Sequence, residues 1–138
     1  MNIDKLKIED IDSILEILKQ DCLRYCDGNY PEKNWVSHFM MEENCFAFGL
    51  YDSEKLLSVL LSEKLSYNGC MLWYIAVKSD EQGKGYGSIL LDFFEKHIKN
   101  LGITWLFLNA TNNSLGFYKK HKFITSEFSK VYEHVKDL

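Results

Sequence analysis

The chain has 138 residues, 46% of them apolar, with nine Phe, eight Tyr and three Trp; that is core enough for a single domain over residues 1–138 without a linker. Sixteen Lys and Arg against 20 Asp and Glu leave a formal charge of −4, which argues against a nucleic-acid protein held by a basic stripe of phosphate contacts. Apolar runs such as LWYIAV stop far short of the ~20 residues that span a bilayer, and the opening MNIDKLKIED has no apolar signal region, so a cytoplasmic protein without a membrane partner is expected.

Residues 3–8 read as a short strand. Ile11, Ile14, Leu15, Leu18 and Cys22 then fall at helical spacing in a segment ending near Tyr25. Asp27-Gly28-Asn29 and the only proline, Pro31, break regular structure before a short helix over 34–41. Three strands follow, 45–51, 56–66 and 71–77, separated by the turn pairs Asp52-Ser53 and Asn68-Gly69, which predicts an antiparallel meander. Tyr86, Leu90, Phe93, Phe94, His97 and Leu101 trace one helical stripe that Gly102 stops. A buried strand over 105–110, a short helix over 114–121 and two closing strands over 123–128 and 131–135 complete the chain. The order β-α-α-β-β-β-α-β-α-β-β predicts an α/β (α+β) fold with mixed strand directions.

Cys22, Cys26, Cys45 and Cys70 lack the paired spacings of a zinc site, and His38, His97, His121 and His134 are scattered. No metal is expected, and the cysteines read as small buried hydrophobes.

Three of the eight glycines crowd into Ser79-Asp80-Glu81-Gln82-Gly83-Lys84-Gly85-Tyr86-Gly87-Ser88, between a predicted strand and a predicted helix. Such a turn gathers unpaired N–H groups and the positive end of a helix dipole at one concave spot, where phosphate binds. Lys84 adds a mobile positive charge. A Walker loop is absent because Gly85 follows Lys84, and the dinucleotide fingerprint fails because Ser88 stands where a third glycine is needed. Glycines that merely allow tight packing of helix on strand are the alternative.

The run Ile75-Ala76-Val77-Lys78-Ser79-Asp80-Glu81-Gln82-Gly83-Lys84-Gly85-Tyr86-Gly87-Ser88-Ile89-Leu90-Leu91 resembles the signature of the GNAT acyltransferases: an apolar strand, then [Gln/Arg]-x-x-Gly-x-[Gly/Ala], then a helix. Gln82, Gly85 and Gly87 fill its defined positions, and Phe117-Tyr118 with Phe123 is similar to the family's late Phe/Leu-Tyr-x-x-x-Gly-Phe element. The resemblance implies a GNAT-like, mostly antiparallel central sheet flanked by helices, with a splayed, V-shaped coenzyme A cleft, and transfer of an acetyl group from acetyl-CoA to a primary amine. It implies that the turn formed by Gln82, Gly83, Lys84, Gly85, Tyr86, Gly87 and Ser88 holds the pyrophosphate. It further implies that Ile75, Ala76 and Val77 pair with the pantetheine arm, and that a main-chain N–H near Ala76 or Val77 polarises the thioester carbonyl.

The resemblance assigns Tyr118 to protonating the departing thiolate, with an aromatic core residue beside Phe117 as the plain alternative. Thr111 stands where the family often has the Asn that binds pantetheine, with Asn112 and Asn113 next, so that contact is expected to shift. Phe117 joins the expected coenzyme A site. Lys122 replaces the family's glycine, which predicts an altered turn. Met71-Leu72-Trp73-Tyr74 offers none of the carboxylates that many relatives carry there, so Glu63 on the preceding strand, or a water chain, is the candidate base. The resemblance implies an acceptor against the first two helices and their loop, with Tyr25, Tyr30, Trp35 and Tyr74 as contacts suited to a cationic amine, small or peptidic; Trp35 and Tyr30 as mere anchors of that loop to the core are the alternative. A homodimer stays open. The rival reading is a non-catalytic coenzyme A-binding or regulatory module, favoured by the missing strand carboxylate and opposed by Tyr118.

Overall fold

The computed structural model describes residues 1–25, 31–110, 115–127 and 132–137. Seven strands form one sheet: β1 (Asn2–Lys5), β2 (Cys45–Asp52), β3 (Lys55–Lys64), β4 (Gly69–Val77), β5 (Trp105–Ala110), β6 (Ile124–Glu127) and β7 (Tyr132–Asp137), in the order β1-β2-β3-β4-β5-β7-β6. Every pairing is antiparallel except β4 with β5. The helices are α1 (Ile11–Tyr25), α2 (Lys33–Met41), α3 (Tyr86–Asn100) and α4 (Leu115–Lys120).

The continuous apolar run of β3 is explained by helices on both faces. Val59 and Leu61 pack with Ile14, Ile17 and Leu18 of α1 and Val36 and Phe39 of α2. Leu60, between them, packs with Leu90, Leu91, Phe94 and Ile98 of α3. With strand side chains alternating, a strand covered on both sides has no polar face to show.

The expected element order is the observed one, with shifted ends. The first strand stops at Lys5, and a 3-10 turn over Ile8–Asp10 replaces its expected continuation, because Ile8 lies exposed at 58% and Glu9 and Asp10 favour the start of a helix. The β3–β4 hairpin turns on Tyr67 and Asn68, both left-handed at φ 61° and 59°, and not on Asn68-Gly69. Gly69 already belongs to β4, where a Cβ would meet Phe107 Cε2 at 2.9 Å; its glycine serves a close approach of β5.

Candidate functional site

The parallel pairing of β4 with β5 runs from Gly69 opposite Trp105 to Leu72 opposite Leu108 and there ends, although β4 continues to Val77 and β5 continues along β7 to Ala110. On its other side β4 stays paired with β3 up to Val77 opposite Ser58. Lys78 N–H donates to Leu57 O at 2.9 Å and Ser58 Oγ to Ala76 O at 2.9 Å. Strand alternation therefore turns the main-chain groups of Ile75 and Val77 toward the unpaired edge.

A bulge lies just before this edge. Leu61 pairs with Tyr74 but Ser62 with Leu72, leaving Trp73 without an opposite residue on β3. Leu72 and Ile75 keep to the α3 face, while Trp73 lies against Trp35 and Phe39 and Tyr74 against Phe39. Two consecutive aromatic side chains thus face α2, which an unbulged strand forbids. Trp35, on the first turn of α2, also stacks on His38 at 5.1 Å.

The glycine turn sits at the end of the same strand. Gly83 and Gly85 are left-handed, at φ 80° and 83°, and a Cβ on either would meet nothing within 4 Å. Packing does not require these two glycines; the left-handed backbone conformation does. Gly87 differs: a Cβ there would meet Val77 Cγ2 at 3.4 Å and Phe117 Cε2 at 3.6 Å, so it lets α3 close on β4 and α4. Gly85 is the N-cap of α3 without a side-chain cap, and the first helical bond is Ile89 N–H to Gly85 O. The N–H groups of Tyr86, Gly87 and Ser88 precede that bond and are the orphan donors of the helix start. Gln82 Nε2 donates to Val77 O at 3.2 Å, tying turn to strand.

Charge here is arranged differently from the expectation. Lys84 is not a loose cation: its Nζ lies 2.7 Å from Glu81 Oε2, and Lys55 Nζ lies 2.8 Å from Glu81 Oε1. The hydrogen bond from Lys55, then that from Lys84, holds the Glu81 carboxyl down at about 2. Ser88 Oγ meets His121 Nε2 at 2.9 Å, and His121 Nδ1 lies 3.5 Å from Asp92 Oδ1.

Tyr118 is 8% exposed and packs edge-on to Phe117 and Phe123 at 5.2 and 5.6 Å, in the cluster that also holds Leu90 and Leu108. The turn after it is not altered by Lys122. Phe123 N–H donates to Tyr118 O and Lys122 N–H to Lys119 O, the Schellman pattern, and Lys122 takes the left-handed φ of 67° that a glycine would adopt there. Gly102 closes α3 with the same pair of bonds, from Ile103 to Ile98 and from Gly102 to Lys99.

Glu63 is half-buried, opposite Cys45 in the sheet, and accepts from Trp73 Nε1 at 3.4 Å. Burial, then Glu63 and Glu42, pushes the Cys45 thiol up to about 11, which removes it as a nucleophile at neutral pH. The fold thus brings Glu63, Trp73, Tyr74 and Trp35 to one face and the 82–88 turn to the end of β4. Tyr25 closes α1; its side chain, and Tyr30, Thr111 and Asn112, lie outside the described residues. Neither Trp73 as a contact nor His121 as the partner of Ser88 is legible in the sequence. A β-bulge leaves no local mark in MLWYIAV, and the Ser88 to His121 spacing of 33 residues carries no motif.

The family model of the acetyltransferase (GNAT) family matches residues 11–123. No curated protein sequence matches the chain. Among solved structures, the PaiA N-acetyltransferase of Thermoplasma acidophilum in complex with coenzyme A is similar with a TM-score of 0.88 at 20% identity, over 99% of this chain and 98% of that one. Ard1 of Thermoplasma volcanium gives 0.82 at 17% identity over 99% and 97%. The ribosomal-protein-S18-alanine N-acetyltransferase of Escherichia coli gives 0.78 at 16% over 97% and 90%. At these identities the likeness is one of fold.

Proposed function

Because the chain belongs to the acetyltransferase (GNAT) family, we propose that it is an N-acetyltransferase that moves an acetyl group from acetyl-CoA to a primary amine by direct attack on the thioester. The observation that carries this reading is the end of β4–β5 pairing at Leu72 and Leu108, beside a turn whose Gly83 and Gly85 face open space. A flexible amide chain can add to the freed edge as a strand would, with its phosphates on the α3 N-terminus. The residues present fit coenzyme A on that ground.

When bound, acetyl-CoA supplies the activated acetyl group. The chain's part is to hold and to move protons. N–H groups of Tyr86, Gly87 and Ser88 bind phosphate oxygens, and the main chain of Ile75 and Val77 aligns the pantetheine amides. An N–H of that edge, at Val77, stabilises negative charge on the carbonyl oxygen. The Tyr118 hydroxyl donates its proton to the leaving sulfur. Glu63 receives the proton of the amine through water. Trp35, Trp73 and Tyr74, gathered beside Glu63, suit a cationic acceptor by cation–π attraction and charge.

The reading is tested by acetyl-CoA-dependent thiol release across an amine panel, alongside thermal shifts. Acetyl-CoA raises the melting temperature by mass action, while ATP and NAD at equal concentration do not. Binding without thiol release from any amine would leave a coenzyme A-binding module, and equal shifts from ATP would leave a generic phosphate site.

A further inference from the structure

Among the described residues, one cluster of ligating side chains lies at the opposite end of β3 from the glycine turn; it shares Glu63 with the acetyl-transfer reading, and a metal there would occupy the carboxylate which that reading uses as base. His38 comes from the last turn of α2, Cys45 is the first residue of β2, and Glu63 stands directly across from Cys45 on β3. Their ligand atoms all lie within 4.8 Å of one another, and all three residues are half-buried. We infer that His38, Cys45 and Glu63 form a binding site for a zinc ion, with a water in the fourth position.

The donor set chooses the metal. An imidazole nitrogen, a thiolate and a carboxylate suit a borderline-soft divalent ion and disfavour magnesium or calcium, which take oxygen. Around zinc at bond lengths of ~2.0–2.3 Å, tetrahedral donors stand about 3.3–3.6 Å apart. The three atoms therefore need to close by about an ångström, within the reach of side-chain rotation. Neighbouring contacts restrict where they point. The His38 ring is stacked on Trp35 at 5.1 Å and meets Phe39 at 5.8 Å, and Trp73 Nε1 donates to Glu63 Oε1 at 3.4 Å. Aromatic and hydrogen-bonding partners of this kind orient metal ligands and tune their basicity. The backbone is equally fixed: Cys45 N–H donates to Glu42 O at 3.1 Å, which holds the α2–β2 turn against the start of the strand. On binding, the thiol gives its proton to solvent and its sulfur pair to the metal.

The test titrates the intact protein with cobalt(II) and zinc(II), and depends on no enzymatic activity. One equivalent of cobalt should produce a thiolate-to-metal charge-transfer band and the intense visible bands of a tetrahedral ion, both displaced by one equivalent of zinc. Cys45→Ser should abolish the thiolate band, while His38→Ala and Glu63→Gln should each weaken zinc binding at least tenfold. Cys70→Ser and a Cys22→Ser/Cys26→Ser double variant should leave the band intact. In the unaltered chain, zinc should also shield Cys45 from a thiol-alkylating reagent, read peptide by peptide by mass spectrometry, which keeps the test decisive if a variant fails to fold. No thiolate band, a band that survives Cys45→Ser, or Cys45 alkylated equally with and without zinc would overturn the assignment.

Discussion

Ser88 Oγ and His121 Nε2 meet at 2.9 Å, joining the first turn of α3, where the proposed phosphate donors lie, to the residue just after α4, three positions beyond Tyr118. This hydrogen bond therefore links the phosphate turn to the segment carrying the proposed proton donor. Ser88→Ala removes the hydroxyl partner of a ring that is 9% exposed, and it should lower unfolding free energy by about 1 kcal/mol, read by chemical denaturation. An unchanged denaturation midpoint would show that the pair contributes nothing to holding α4.

Gly85 has a φ of 83° with nothing within 4 Å of a would-be Cβ. In Gly85→Val, a β-branched residue is forced into the left-handed region and its methyls fill the open space. Coenzyme A binding should be lost in calorimetry, with the circular dichroism spectrum retained and a stability cost of about 1–3 kcal/mol. Tight binding by a folded variant would show that these glycines serve only the backbone.

Tyr118→Phe keeps the ring contacts with Phe117 and Phe123 and deletes the hydroxyl. A proton donor matters most as charge appears on sulfur, so kcat should fall on the order of tenfold to a thousandfold with acetyl-CoA binding nearly unchanged. A kcat within about twofold of the parent would make Tyr118 a packing residue.

Lys122 holds a left-handed φ of 67° at a position where a side chain costs about 1–2 kcal/mol. Lys122→Gly relieves that cost, less the roughly 0.5–1 kcal/mol by which glycine loosens the unfolded chain. The variant should gain up to about 1.5 kcal/mol, seen as a higher denaturation midpoint at unchanged slope.

Glu81 engages Lys84 and Lys55 together, and its carboxyl, held at about 2 against an ordinary 4.5, keeps its charge down to strongly acid pH. Because the folded value is depressed, the bridge is complete above the ordinary value and is lost only as pH falls through about 2. Glu81→Gln breaks it at neutral pH and frees both lysines, so coenzyme A affinity should rise about two- to fivefold and depend more steeply on salt. Unchanged affinity and salt dependence would place both cations out of reach of the phosphates.

Much of this protein is determined by local pattern. The stripe from Tyr86 to Leu101, the glycine that stops it, and the short apolar runs of β2 and β3 bounded by turn residues specify helices and strands through neighbours a few residues apart, and glycines at 83 and 85 announce a left-handed turn before a helix. The family resemblance read from Gln82, Gly85 and Gly87 is borne out by the match over residues 11–123. What the sequence does not contain is set by pairing between distant segments. The bulge that turns Trp73 and Tyr74 to one face exists only because β3 and β4 slip by one residue between Leu61 and Ser62, and the open edge exists only because β4 and β5 part after Leu72 and Leu108. Lys122 reads as a break in the family's glycine pattern, yet the hydrogen bonds of the last α4 turn impose the left-handed geometry and the lysine bears its strain. His38, Cys45 and Glu63 look scattered along the chain because their proximity is made by register and helix docking, which act across the sheet and leave no trace in residue spacing.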